Sequence, residues 1–203
     1  MALSQRDFSS SEHDWHSGSY VGWWIERDAG REEARRTRLQ EMLALAPYGR
    51  DAATKVLDVG GGYGVLTEEV LRAFPKARVT LQDYSDPMLD VARRRLGWSA
   101  EQVRFLLGDL RERSWCERAG GPFDLVVSSI AIHNLRDLGQ IAACYSDILG
   151  LLKPGAPFLD YDVFDVARGV ETHLKLFETA GFVGVGCPWQ ESPAAIIAAY
   201  ARG

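Results

Sequence analysis

The chain has 203 residues, with 28 acidic against 23 basic side chains and a formal net charge of −5. That length suits one globular domain able to bury a full apolar core, and the acidic balance argues against a protein whose main work is gripping a phosphate backbone. Cys116, Cys144 and Cys187 lie far apart, without the paired spacing of a zinc site or a disulfide framework. No run has the length of a membrane span or the form of a signal peptide, so the expectation is a soluble cytoplasmic protein with neither nucleic acid nor membrane as partner.

Residues 1–50 begin with a polar stretch and carry three of the six tryptophans. The composition of residues 20–42 predicts a helix that Gly22 and Gly30 weaken or interrupt. Glu32-Glu33 ahead of Arg35-Arg36 and Arg38 reads as a solvated mixed-charge face. Pro47-Tyr48-Gly49 ends this segment, and residues 51–203 form the second unit. From Lys55 onward short apolar runs alternate with helical stretches. Strands are expected at 56–59, 78–82, 103–107, 125–129 and 158–161, and two weaker ones at 183–187 and 195–200. Helices are expected at 66–74, at 87–96 with Pro87 in the first turn, at 139–152 before Lys153-Pro154-Gly155, and at 171–180 with Gly181 as its cap. This alternation implies an α/β fold with a largely parallel sheet covered on both faces, and ligands bind such sheets at the carboxyl ends of the strands.

The central motif is Asp58-Val59-Gly60-Gly61-Gly62-Tyr63-Gly64, between the first strand and its helix. Glycines at 60, 62 and 64 permit a tight turn and close approach of a ligand to the backbone, and the following helix aims its N-terminal amides the same way. The dinucleotide fingerprint G-x-G-x-x-G fails in both registers, ending on Val65 from Gly60 and on Thr67 from Gly62. No Lys-Ser or Lys-Thr pair follows, so a Walker-type phosphate loop fails too. Asp83 stands about twenty residues on, at the end of the second strand, where a carboxylate can accept from a ribose diol. Tyr84 and Met88 are placed to flank a purine. Gly108-Asp109-Leu110 ends the third strand with a second acid for an exocyclic amine. An adenosine carrying an amino acid, and not a pyrophosphate, fits this set.

These segments resemble the motifs of the class I S-adenosylmethionine-dependent methyltransferases from about Lys55 to the C-terminus. The likeness runs through residues 56–64, Asp83 to Met88, Gly108-Asp109, the 123–129 strand with Ile132-His133-Asn134-Leu135, Leu151 to Gly155, and Ala180-Gly181-Phe182. One departure is Ala156, where a second glycine is more usual. The resemblance implies a Rossmann-like three-layer sandwich, its seven-stranded, mostly parallel sheet ending in an antiparallel strand, with residues 1–50 as an N-terminal helical lid. It implies S-adenosylmethionine as cofactor and S-adenosylhomocysteine as product. Gly60, Gly62 and Gly64 would face the amino-acid part, Asp83 would hold the ribose, and Asp109 the adenine amine. Asp58, Tyr84, Met88, Gly108, Leu110 and Ser129 complete the cofactor set.

A sulfonium methyl is already activated, so transfer depends on alignment and, for a protonated acceptor, on a base. His133 is the candidate base, with Asn134 beside it, although a histidine here equally suits orienting a loop. Tyr20 is the second candidate catalytic group, and Tyr20 or Arg27 is within reach of the cofactor carboxylate. His13, Trp15, His16, Tyr20, Trp23 and Trp24 form the aromatic cluster expected to cover the site, with Trp189 joining its wall. Trp15, Trp24, Asn134 and Trp189 are therefore the candidate acceptor-binding residues. Asp160 and Asp162 are thin grounds for a metal, and a metal-free site is expected. The segment between Asp162 and Glu171 is short where many relatives insert a recognition helix, which points to a small-molecule acceptor or to recognition by residues 1–50 or another subunit. Two rivals stay open: an enzyme of the same fold that cyclises or cleaves the cofactor's amino-acid chain, and a non-catalytic cofactor-binding module.

Overall fold

The structure, a computed structural model, describes residues 14–164 and 169–203. His13, expected in the aromatic cluster, lies outside the described residues. Strands β1 (Lys55–Val59), β2 (Arg78–Asp83), β3 (Val103–Leu107), β4 (Leu125–Ser129) and β5 (Pro157–Val163) run parallel. The hairpin of β6 (Val183–Glu191) and β7 (Ala194–Tyr200) completes a seven-stranded sheet in the order β3-β2-β1-β4-β5-β7-β6. β7 is antiparallel to both of its neighbours, as expected for the last strand.

Helices α1 (Gly18–Leu43), α2 (Val65–Ala73) and α3 (Asp86–Arg95) cover one face of the sheet, and α4 (Ser114–Ala119), α5 (Leu138–Leu151) and α6 (Gly169–Ala180) the other. Each face closes over its own apolar cluster. Leu39, Val70, Leu89 and Val79 belong to the first cluster, and Trp115, Tyr145, Phe177 and Val126 to the second. Three layers result because the central strands are apolar on both faces. α4 has no counterpart among the predicted helices: six residues are too few to show a helical period, and fully buried Trp115 holds it in place.

α1 runs unbroken through Gly22 and Gly30, so of the two readings the glycines do not interrupt it. The Ser17 hydroxyl caps its start by accepting from the Tyr20 amide at 3.3 Å. Val21, Leu39, Met42 and Leu43 bury one stripe of the helix. Its polar face is tied down rather than merely solvated. Arg36 pairs with Glu32 on its own helix and with Glu68 and Glu69 on α2, and Arg95 of α3 pairs with Glu32 and Glu68. Burial and this ion-pair lattice outweigh the roughly 1 kcal/mol that each interior glycine costs.

The strand order reverses between β1 and β4, which opens a crevice at their carboxyl ends. Gly60, leaving β1 at φ +64°, meets the loop that leaves β4, and a Cβ at Gly60 would lie 2.4 Å from the Ala131 Cβ. Gly60→Ala therefore adds both a left-handed strain and a clash, together about 2–4 kcal/mol. The expected drop in melting temperature is on the order of 5–10 °C. A variant that melts with the wild type in calorimetry would contradict this packing. Among the described residues, no helix is long and apolar enough to cross a membrane.

Candidate functional site

The crevice widens into a cavity of about 950 Å³ between the carboxyl ends of the strands and α1. Its floor is the glycine turn, held from β2. The Gly61 amide donates to the Gln82 carbonyl at 2.9 Å, the Gly60 amide to Gln82 Oε1 at 3.0 Å, and the Gly62 amide to Asp83 Oδ2 at 2.9 Å. Gln82 Nε2 reaches the Gly108 carbonyl at 2.6 Å, so one amide side chain ties together the loops after β1, β2 and β3. Sequence reasoning passed over Gln82. The available signal was a long polar side chain inside an apolar strand.

Three of the predicted acids border this cavity. Asp83 is buried and accepts from the Gly62 and Ser85 amides. Burial pushes its pKa up to about 6 despite those hydrogen bonds. Asp58 lies under the turn, where the Thr67 hydroxyl donates to Oδ2 at 2.6 Å, and burial pushes it up to about 7. Its Oδ1 has no partner among the described residues. Asp109, after β3, accepts from the Arg111 amide at 2.9 Å and pairs with its guanidinium at 3.3 Å. Tyr84, Met88 and Leu110 line the wall between Asp83 and Asp109, and the His16 ring meets Tyr84 edge-on.

The opposite wall is the loop after β4, and it is strained at both ends. Ile130 at φ +53° and Arg136 at φ +61° occupy a region that L side chains rarely adopt, and between them the turn Ile132–Leu135 carries His133. Asp162 of β5 holds that histidine twice: Oδ2 accepts from the His133 amide at 2.9 Å, and Oδ1 lies 2.6 Å from Nδ1. Asp162 is almost fully buried and also accepts from the Val163 amide at 2.7 Å. A carboxylate at Nδ1 places the proton there and leaves the Nε2 lone pair as the free end of the neutral ring. Burial lowers the affinity of His133 for a second proton, but the Asp162 charge and hydrogen bond more than offset it, so its pKa stands above the ordinary value.

Trp15, just ahead of α1, and Trp24, Asp28, Arg31 and Arg35 of α1 face the cavity with Tyr63. The Trp24 ring lies 5.3 Å from Trp15 and 6.0 Å from Tyr63. Arg35 is bound by Asp28 and by the Tyr63 hydroxyl at 2.9 Å. Ser129, Asn134, Gly60 and Gly62 also line the cavity, and Asn134 donates to the Ala131 carbonyl at 3.2 Å. Five predicted site residues are not among those lining the cavity. Tyr20 is buried against Trp15 and Trp23 and is absent from the lining. Trp189 packs against Tyr161 under the Arg38 guanidinium. Gly64, at φ +88°, starts α2, and a Cβ at Gly108 would press on Trp115 and Arg118. Arg27 lies over Trp23. Asp28, Arg31 and Arg35 had no local signal, each being one charge among many on a helix, and Asp162 was visible only as one of two acids near a strand end. Among the described residues, no group of three His, Cys, Asp or Glu side chains is arranged to hold a metal ion.

A family model for a methyltransferase domain matches residues 56–155. The chain is 41% identical over 92 residues to the release factor glutamine methyltransferase of Chlorobaculum tepidum, an alignment covering 43% of this chain and 31% of that protein. It is 38% identical over 112 residues to the trans-aconitate 2-methyltransferase of Variovorax paradoxus, covering 55% and 40%. The chain thus spans well under half the length of these relatives. An O-methyltransferase family protein from Burkholderia thailandensis has the same fold, with a TM-score of 0.74 at 18% identity over 93% of this chain and 61% of that one.

Proposed function

Because the chain belongs to the class I S-adenosylmethionine-dependent methyltransferases, we propose that it transfers a methyl group from S-adenosylmethionine to a small-molecule acceptor, leaving S-adenosylhomocysteine. The observation that carries this reading is the shared cavity. The glycine turn with Asp83 and Asp109 lines one side, and His133, backed by Asp162, lines the other.

The residues fit an adenosyl amino acid. Gly62 is open toward the cavity, where a Cβ would meet nothing within 4 Å, so the backbone is free to approach a ligand. Asp83 accepts the ribose hydroxyls, and Asp109 accepts from the adenine amine. Tyr84, Met88 and Leu110 enclose the base. When bound, S-adenosylmethionine supplies a methyl on a positively charged sulfur that departs as a neutral thioether. Trp15 and Trp24 cover the opening as part of an N-terminal lid, exclude water, and offer aromatic faces to a cation. His133 Nε2 takes the proton of an acceptor hydroxyl or amine, and Asp162 orients the ring and stabilises the imidazolium that forms.

A cavity of about 950 Å³, shared between cofactor and acceptor, supports a small acceptor. The release-factor relative acts on a protein, and the trans-aconitate relative on a small acid. Product analysis decides the chemistry. S-Adenosylhomocysteine is expected only when an acceptor accompanies S-adenosylmethionine. Methylthioadenosine formed without any acceptor would replace transfer by cleavage of the amino-acid chain.

A further inference from the structure

We propose that the acceptor is an anion whose carboxylate is bound by Arg31 and Arg136, with a hydroxyl or amine presented to His133. The proposal rests on the methyl-transfer reading and adds the substrate class. Four arginines line the cavity. Two are already neutralised: Arg35 by Asp28, and Arg111 by Asp109. Arg31, from α1, and Arg136, from the loop after β4, are exposed and make no ion pair among the described residues. They come from segments 105 positions apart, yet border one cavity.

The remaining acids do not balance them. Asp58 is fully buried beneath the turn and engaged by Thr67, and Asp83 is committed to the Gly62 and Ser85 amides at the nucleoside end. Asp14 is exposed at the rim. Arg136 also carries the unusual backbone, φ +61°, at the end of the loop that bears His133. A cation kept at a strained position beside the candidate base is the pattern of a binding group. Guanidinium forks match carboxylates, and two of them hold an acid while leaving its other end free. That arrangement also explains a base. A carboxylate methylated directly needs no deprotonation, whereas an anchored acid methylated at a neighbouring hydroxyl or amine does. There the acceptor's lone pair forms the new bond to the methyl carbon, the carbon–sulfur pair returns to sulfur, and the acceptor proton passes to His133 Nε2.

The test uses the protein saturated with S-adenosylhomocysteine and reads binding by calorimetry. The probes are salicylate and anthranilate, with salicylamide and anthranilamide as neutral counterparts. The carboxylates are expected to bind and the amides to bind about tenfold or more weakly; Arg31→Gln and Arg136→Gln should each erase that preference. Affinity for S-adenosylhomocysteine should be unchanged in both variants. Equal binding of acids and amides to the wild type, or binding of none of them, overturns the anionic-acceptor proposal alone. Loss of S-adenosylhomocysteine affinity in Arg31→Gln overturns it too, by assigning that arginine to the cofactor's own carboxylate. Failure of the wild type to bind S-adenosylhomocysteine at all overturns the underlying methyltransferase reading.

Discussion

Replacing His133 with alanine is expected to lower kcat by about 10²–10⁴-fold, the range for a positioned general base, while affinity for S-adenosylhomocysteine stays within about twofold. The imidazole lines the cavity but takes no part in the hydrogen bonds that hold the glycine turn. Asp162→Asn tests the same assembly through a different readout. The base works only when neutral, and His133 in the folded protein holds its proton above the ordinary histidine pKa of about 6.5. The wild-type rate should therefore rise with pH through a midpoint above about 6.5. Removing the Asp162 charge leaves burial as the dominant influence and should move that midpoint down. The linkage sign agrees. A raised histidine pKa means that the His133–Asp162 pair contributes its full stability below about 6.5 and loses it as pH climbs through the folded value. An acid limb that stays put in Asp162→Asn would remove Asp162 from the mechanism, and an unchanged kcat in His133→Ala would remove the base.

The second large effect belongs to Asp83. Asp83→Ala should weaken S-adenosylhomocysteine binding by about 10²-fold or more, because charge-assisted hydrogen bonds contribute roughly 1.5–3 kcal/mol each and the Gly62 amide also loses its acceptor. Binding should be pH-dependent. Burial raises Asp83 to about 6, and ribose hydroxyls are best accepted by the ionised form, so affinity falls as pH drops below about 6. The free protein changes in the opposite sense. A carboxylate whose folded pKa is raised contributes most below its unfolded value near 3.9, so stability declines as pH rises through about 6. Asp83→Asn cannot ionise and should flatten the affinity profile. A wild-type profile already flat between pH 5 and 7 would show that the ribose is held elsewhere.

The local pattern carried the α/β alternation, the position of nearly every strand, the glycine turn and the acids after β2 and β3. These depend on short-range causes: side-chain period, turn conformations that only glycine adopts readily, and strand ends that expose polar groups. Pairings between distant segments were illegible. His133 was visible as a loop histidine, but Asp162 stands 29 residues away. The two meet because β4 and β5 lie side by side in register, Ser129 opposite Tyr161, with the Ile130 amide on the Tyr161 carbonyl. Tyr20 and Trp24 looked alike in an aromatic helix. Packing turned Tyr20 into the core and left Trp24 on the cavity, a difference of rotation that composition does not encode.

The sequence by itself thus determined the sheet and the glycine turn with the acids after β2 and β3, because these are written in contiguous residues whose backbone geometry is locally constrained. Only the tertiary structure decided the opposite side of the cavity. It joins Arg31 of α1, His133 and Arg136 of the β4 loop, and Asp162 of β5, and their proximity follows from strand register and helix docking rather than from any pattern along the chain.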